Sequence, residues 1–137
     1  MKPLDPQVVA RLLNQARDAR DQAYAPHSHF YVGAAILTSD GSIVAGCNVE
    51  NASYGLTICA ERVAGGAAVV AGHRHWDAIA IASDGGVSPC GACRQFLAEF
   101  CPDLWILRLD VITEQHTTTT LRKLLPEAFT PASLQSS

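Results

Sequence analysis

Two short segments of this chain carry side chains whose types and spacing can hold a metal ion and move a proton: Cys59-Ala60-Glu61-Arg62 and Pro89-Cys90-Gly91-Ala92-Cys93-Arg94. Cys90 and Cys93 lie three positions apart, so at the start of a helix they share one face and can grip a single ion. Cys59 supplies a third thiolate. Catalytic zinc centres use three protein ligands and leave a fourth position to water, whereas structural ones are closed by four, so a trio of cysteines points to catalysis. Three thiolates give the cluster a formal negative charge, which weakens its power to acidify water. Two helix N-termini would offset that charge, helped by Arg62 and Arg94, each placed directly after a motif residue to donate to the sulfurs. Water at such a centre ionises near neutrality, with a pKa of about 7. Glu61, two residues beyond Cys59, is expected to reach that water without ligating the metal and to carry its proton. The competing reading is a zinc knuckle closed by His27, His29, His73, His75 or His116, although none of these has a ligand-like spacing to the cysteines.

A scaffold must bring the two segments together, and apolar periodicity outlines it. Between Asp5 and Ala23, the residues Val8, Val9, Leu12, Leu13, Ala16, Ala19 and Ala23 recur at three- and four-residue spacing, which predicts an amphipathic helix. Asp5 can cap it, Pro6 suits its first turn, and Ala25-Pro26 ends it. Phe30 to Thr38 and Ile43 to Cys47 flank the turn Ser39-Asp40-Gly41-Ser42 and predict a β-hairpin. The alanine-rich run from Cys59 to Gly72 predicts a helix despite Gly65-Gly66. Trp76 to Ser83 and Leu104 to Val111 read as buried strands. Ser88-Pro89-Cys90 has the cap-plus-proline signature of a helix running to about Phe100. Thr120 to Leu125 reads as a short helix closed by Pro126. Thr117 to Thr120 is most simply a loop, and Pro131 to Ser137 is expected to fray. The order α-β-β-α-β-α-β-α implies an α/β fold, a sheet with helices on its faces.

Composition bounds the remaining possibilities. A chain of 137 residues predicts one domain spanning 1–137, with its core at about 5–129. Hydrophobic residues make up 48% and charged residues 17%, against about 25% in a typical domain, so polar material is short for coating the surface and buried subunit contacts are expected. The formal charge is −3 and no cationic run exceeds Arg122-Lys123, which argues against nucleic acid as a partner. No stretch of about 18 apolar residues suggests a membrane span, and the N-terminus lacks the pattern of a secretory signal, so a cytoplasmic location is expected. Five cysteines, an odd number, fit thiols and metal ligands better than a disulfide framework. Cys47 is expected to be a small core residue.

Taken together, these residues resemble the cytidine deaminase family, the small homotetrameric type that acts on free nucleosides. Zinc deaminases are known by His-x-Glu, or its cysteine variant, followed by Pro-Cys-x-x-Cys, so the match to 59–62 and 89–95 recognises an existing pattern. Further matches are Tyr24 to Ala35 (YAPHSHFYVGAA), Gly46 to Gly55 (GCNVENASYG) and Leu124 to Phe129 (LLPEAF), and the likeness covers about residues 5–129. The resemblance implies a three-layer α/β/α sandwich around a mixed sheet of about five strands, with one zinc ion per subunit on Cys59, Cys90 and Cys93. It makes Glu61 the proton shuttle, Asn48 and Glu50 a clamp on the ribose hydroxyls, Phe30 the ring that packs on the nucleoside, and the backbone at Ala60 the reader of the pyrimidine edge. Tyr54 and Phe129 would belong to a neighbouring subunit's site. The implied reaction is hydrolytic deamination of cytidine and 2′-deoxycytidine to the uridines and ammonia, a step of pyrimidine salvage. Two departures stand out. Gly65-Gly66 replaces larger apolar residues, which predicts a looser helix or one approached closely by another backbone, and Val111 to Thr119 lacks the family's strand-loop wording. Rival readings are a deaminase of another amino-pyrimidine nucleoside such as blasticidin S, against which Asn48 with Glu50 argues, and a zinc-stabilised binding module.

Overall fold

Asp5 caps the first helix as the sequence implies: its carboxylate accepts from the Gln7 amide at 2.8 Å, and Pro6 opens α1, Pro6–Arg20. The computed structural model describes residues 3–135, and Ser136 and Ser137 of the expected frayed tail lie outside the described residues. After α1 come β1 (Gly33–Thr38), β2 (Ile43–Cys47), a 3-10 turn (Tyr54–Leu56), α2 (Ala60–Val70), β3 (Trp76–Ser83), α3 (Gly91–Ala98), β4 (Trp105–Asp110), β5 (Gln115–Thr120), α4 (Leu121–Leu124) and α5 (Pro131–Gln135). The strands form one mixed sheet in the order β2-β1-β3-β4-β5, with only β3 and β4 parallel among neighbours.

The alternation within β3, WDAIAIAS, explains the layers. Ile79 and Ile81 point to the face covered by α2, α3 and α4, where they pack with Ile36, Ile106 and Leu97. The small residues Ala78, Ala80 and Ala82 point to the other face, where Leu12, Leu13 and Ala16 of α1 pack on them together with Leu107 and Leu109. Both faces are therefore apolar and both are covered, giving the three-layer α/β/α sandwich. Each fully buried Ile or Leu contributes about 1.5–3 kcal/mol relative to exposure.

Three features differ from the sequence expectation. The threonine run is part of β5, an exposed edge strand paired antiparallel with β4; β-branched threonine suits a strand, but without apolar alternation it gives no periodic signal. The turn into β5 is held by Asp110, whose Oδ1 accepts from the amides of Ile112 at 2.9 Å and Gly85 at 3.1 Å. Residues 131–135 form the short helix α5 instead of fraying. The helix after β3 begins at Gly91 with Cys90, not Ser88, at its N-cap.

The β1–β2 hairpin carries a pH-dependent element. Asp40 accepts from the Thr38 hydroxyl and, at 3.1 Å, from the Ser42 amide, and its pKa falls from 3.8 to about 2, chiefly through the Thr38 bond. Because the folded value lies below the unfolded one, its contribution is complete above pH 3.8 and disappears as pH falls through about 2. Thermal melts of the wild type and Asp40→Asn should therefore differ near neutrality and converge over that window.

Candidate metal centre and pocket

Topology brings the two motifs together. β2 and β3 are each antiparallel to β1, so they run the same way, and α2 and α3 follow them as crossovers on one face. Both helix N-termini emerge at the carboxyl ends of parallel strands, the usual position of sites in α/β sheets. Cys59 is the N-cap of α2, Cys90 is the N-cap of α3, and Cys93 lies one turn into α3. Their sulfurs all lie within 4.8 Å of one another. Zn–S bonds of about 2.3 Å in tetrahedral geometry ask for sulfurs about 3.8 Å apart, so three soft donors at this spacing fit zinc. Among the described residues, no histidine or carboxylate joins the group. His73, one candidate for closing it, instead pairs with Asp40 at 3.5 Å.

The electrostatics suit a bound cation. Arg62 donates to Cys59 Sγ at 3.5 Å, and the Cys93 amide donates to Cys90 Sγ at 3.4 Å. The Cys59 pKa is lowered to about 5, first by the hydrogen bond from the Cys93 thiol and then, against desolvation, by Arg62. The same contact holds the Cys93 thiol well above its ordinary range. The pair thus gives up one proton readily and keeps the second, the behaviour of thiols close enough to share a cation. Arg94 departs from expectation. Its three nitrogens donate to Pro89 O at 2.8 Å, Leu124 O at 2.9 Å and Ser88 Oγ at 3.0 Å, so it braces the turn that presents Cys90 to α4. A guanidinium between three oxygen acceptors satisfies its planar fork better than weak sulfur acceptors would.

Glu61 lies in the first turn of α2 and is only 5% exposed. Burial pushes its pKa up, and negative charge on Cys59 adds to the shift. Beneath this turn runs β2, where a Cβ on Gly46 would stand 2.4 Å from the Ala64 amide nitrogen and 3.0 Å from the Ala60 carbonyl. Gly46 therefore lets the backbone of α2 rest directly on the strand.

A cavity of about 230 Å³ opens beside Glu61, lined by Phe30, Val32, Asn48, Thr57, Cys59, Ala60, Val87 and Cys90 among others. At Thr57 it meets a second cleft of about 460 Å³ bordered by His27, Ser28, Glu50, Asn51 and Tyr54. A larger hollow, about 470 Å³, lies at the opposite end of the sheet near Pro3, Asp77 and Trp105. The donor set, not volume, locates the site. Ala60 is fully buried and Phe30 is partly exposed at the rim. Asn48 is nearly buried: its Nδ2 donates to Phe30 O at 2.8 Å and its Oδ1 accepts from the Val32 amide at 3.0 Å, so it orders the segment leading into β1. Glu50 accepts from the His27 and Ser28 amides at 2.9 and 3.1 Å and from the Ser28 hydroxyl, which keeps its carboxylate ionised. Tyr54 and Phe129 are 78% and 58% exposed. Sequence reasoning missed Gln95, whose amide exchanges two hydrogen bonds with the Phe129 backbone, at 2.7 and 3.1 Å. Only its position beside Arg94 in the motif hinted at a role. Cys47 and Cys101 are both half-buried and lie outside the sulfur group, so Cys47 is not the fully enclosed core residue expected.

Comparison with known proteins is consistent with this geometry. Residues 6–108 match the family described as the cytidine and deoxycytidylate deaminase zinc-binding region. A cytidine deaminase of Sporosarcina psychrophila is 48% identical over 128 residues, covering 92% of this chain and 94% of that one. A blasticidin-S deaminase of Bacillus cereus is 31% identical over 129 residues, covering 87% and 90%. The crystal structure of cytidine deaminase from Burkholderia pseudomallei superposes with a TM-score of 0.84 at 46% identity, covering 88% of this chain and 98% of that one. With the trio of sulfurs, the buried carboxylate and the three-layer fold all in place, this chain belongs to the zinc-dependent cytidine and deoxycytidylate deaminase family.

Proposed function

We propose that the chain hydrolyses cytidine and 2′-deoxycytidine to the corresponding uridines and ammonia, as a cytoplasmic homotetramer with one catalytic domain per subunit. The observation that carries this reading is Glu61, a buried carboxylate at the wall of a small cavity also lined by Cys59 and Cys90, whose sulfurs lie within 4.8 Å of each other and of the buried Cys93. Cys59, Cys90 and Cys93 hold zinc, which supplies the Lewis acidity that makes a water nucleophilic near pH 7. Glu61 accepts the proton of the attacking water and passes it to ring N3 as the new C–O bond forms at C4. It then takes the remaining proton of the new C4 hydroxyl and delivers it to the exocyclic amine, which leaves as ammonia when the C4–N bond breaks and the C4 carbonyl forms. Its raised pKa matches this alternation of base and acid. The smaller cavity takes the base against Phe30 and Ala60, and the ribose extends from Asn48 at the wall of that cavity to Glu50 in the adjoining cleft.

Exposed Tyr24, Phe30, Tyr31, Tyr54, Leu56 and Phe129 supply apolar surface for subunit contacts, which supports the tetramer. In that assembly Tyr54 and Phe129 reach a neighbour's site. No helix of the described residues is long and apolar enough to cross a membrane.

The test is ammonia release by zinc-loaded protein from cytidine, free cytosine and blasticidin S. Cytidine should be turned over, with kcat/KM for cytosine about 10³-fold lower or less, because the sugar-facing polar groups would be left unpaired. Fastest turnover of blasticidin S would replace the substrate assignment. Bound zinc with no ammonia from any nucleoside would leave the binding-module reading.

A further inference from the structure

Zinc binding asks that two helices with no covalent link near the site hold their sulfurs at a set spacing. Cys59 caps α2, while Cys90 and Cys93 belong to α3, so the spread of the trio follows the distance between the helices. We propose that Gly65 is a positioning residue of the metal centre: the notch it leaves in α2 receives the edge of the Phe96 ring and sets how closely α3 sits. This rests on the zinc reading of the cysteine trio.

A Cβ at position 65 would stand 2.4 Å from Phe96 Cε1, 2.9 Å from Cζ and 3.1 Å from Trp76 Cη2. Ordinary carbon contacts are about 3.5–4.0 Å, so even a methyl group must move the ring by about 1 Å. Phe96 is partly buried and packed among aromatic rings. Its ring lies 5.7 Å from Phe100 and 6.5 Å from Trp76, and Trp76 is itself stacked on Phe100 at 4.2 Å. Trp76 is 2% exposed and its indole nitrogen donates to His73 O at 2.9 Å, which anchors the far wall. With the ring kept packed on these aromatics, the relief is for α3 to back away from α2. Phe96 lies one turn beyond Cys93, so such a shift carries Cys90 and Cys93 away from Cys59, and a displacement of about 1 Å is enough to loosen a preorganised site. The contact differs from the expected backbone approach: an aromatic side chain fills the notch. Neighbouring Gly66 is exposed, and a Cβ there would meet nothing within 4 Å, so the helix-propensity cost of glycine at 66 has no such compensation.

The experiment compares zinc-loaded wild type, Gly65→Ala, Gly66→Ala, Phe96→Leu and the double variant Gly65→Ala/Phe96→Leu. Its readouts are the rate of zinc transfer to a chromophoric chelator, the ligand-field spectrum of the cobalt-substituted protein, and thermal unfolding. Gly65→Ala should release zinc about 10- to 100-fold faster, the range seen when groups supporting metal ligands are altered, with changed cobalt bands. Gly66→Ala should match wild type in both. Phe96→Leu alone, which empties the notch, should also release zinc faster, and the double variant should return towards wild type because the new methyl fills the space the ring vacates. If Gly65→Ala does not fold, a slower release from the double variant than from Phe96→Leu still supports the coupling. Wild-type zinc release and cobalt spectra in Gly65→Ala, or no recovery in the double variant, would overturn it, even if melting temperatures fall. If the wild type itself takes up no zinc, the reading of the metal centre falls first and this inference with it.

Discussion

Replacing Glu61 by Gln should abolish nearly all ammonia release from cytidine while leaving one zinc per chain and an unchanged affinity for the product uridine. Glutamine keeps the size and one oxygen acceptor of the buried side chain but can neither accept a proton from water nor pass one on. General acid–base groups contribute about 10²–10⁴-fold, and a residue that serves both as base and as acid belongs at the upper end, so kcat should fall by about 10³-fold or more. The loss should appear in kcat and kcat/KM together, because the missing proton transfers occur in the transition state and not on binding. Isothermal titration with uridine, zinc analysis and steady-state rates separate the outcomes. Near-full turnover would remove Glu61 from the mechanism; loss of zinc would make it a support for the metal.

How much of this was legible in the sequence followed the range of each interaction. Helix α1, the β1–β2 hairpin and β3 announce themselves through apolar spacing and local caps, which need no knowledge of distant residues. The cysteine trio was equally readable, because Cys90 and Cys93 sit one turn apart and few structural demands explain that spacing with Cys59-Ala60-Glu61 nearby. Strand β5 was not, since a polar edge strand needs no apolar alternation and is stabilised by pairing with β4. Pairings between remote positions were also hidden. Arg94 chose oxygen acceptors at Ser88, Pro89 and Leu124, and the last is 30 residues away. The partner of Gly65 is Phe96, on another helix altogether. Asn48 shows a subtler limit: its amide suits a sugar edge by type, yet part of its hydrogen-bonding capacity orders the backbone of Phe30 and Val32. Composition could suggest such a residue for the pocket but not how its donors and acceptors are divided.

Cys93→Ala should remove zinc and activity together while leaving the sheet folded. Cys93 is fully buried, and alanine fills most of its volume, so the packing loss is modest. The metal loses much more: two thiolates remain where a catalytic zinc site needs three protein ligands. Bound zinc measured after dialysis should fall from one per chain to well below a tenth, and turnover should follow it. Cys47→Ala and Cys101→Ala are the matched controls, since both residues are half-buried cysteines outside the sulfur group, and both variants should retain zinc and rate. The same comparison weighs catalysis against a merely structural ion. The cores on the two sheet faces, Ile36, Ile79, Ile81 and Ile106 on one and Leu12, Leu107 and Leu109 on the other, are built without the sulfurs. Circular dichroism of Cys93→Ala should therefore show native secondary structure and a cooperative melt. A chain that unfolds on losing this one ligand would instead owe its fold to the metal, as zinc-stabilised modules do.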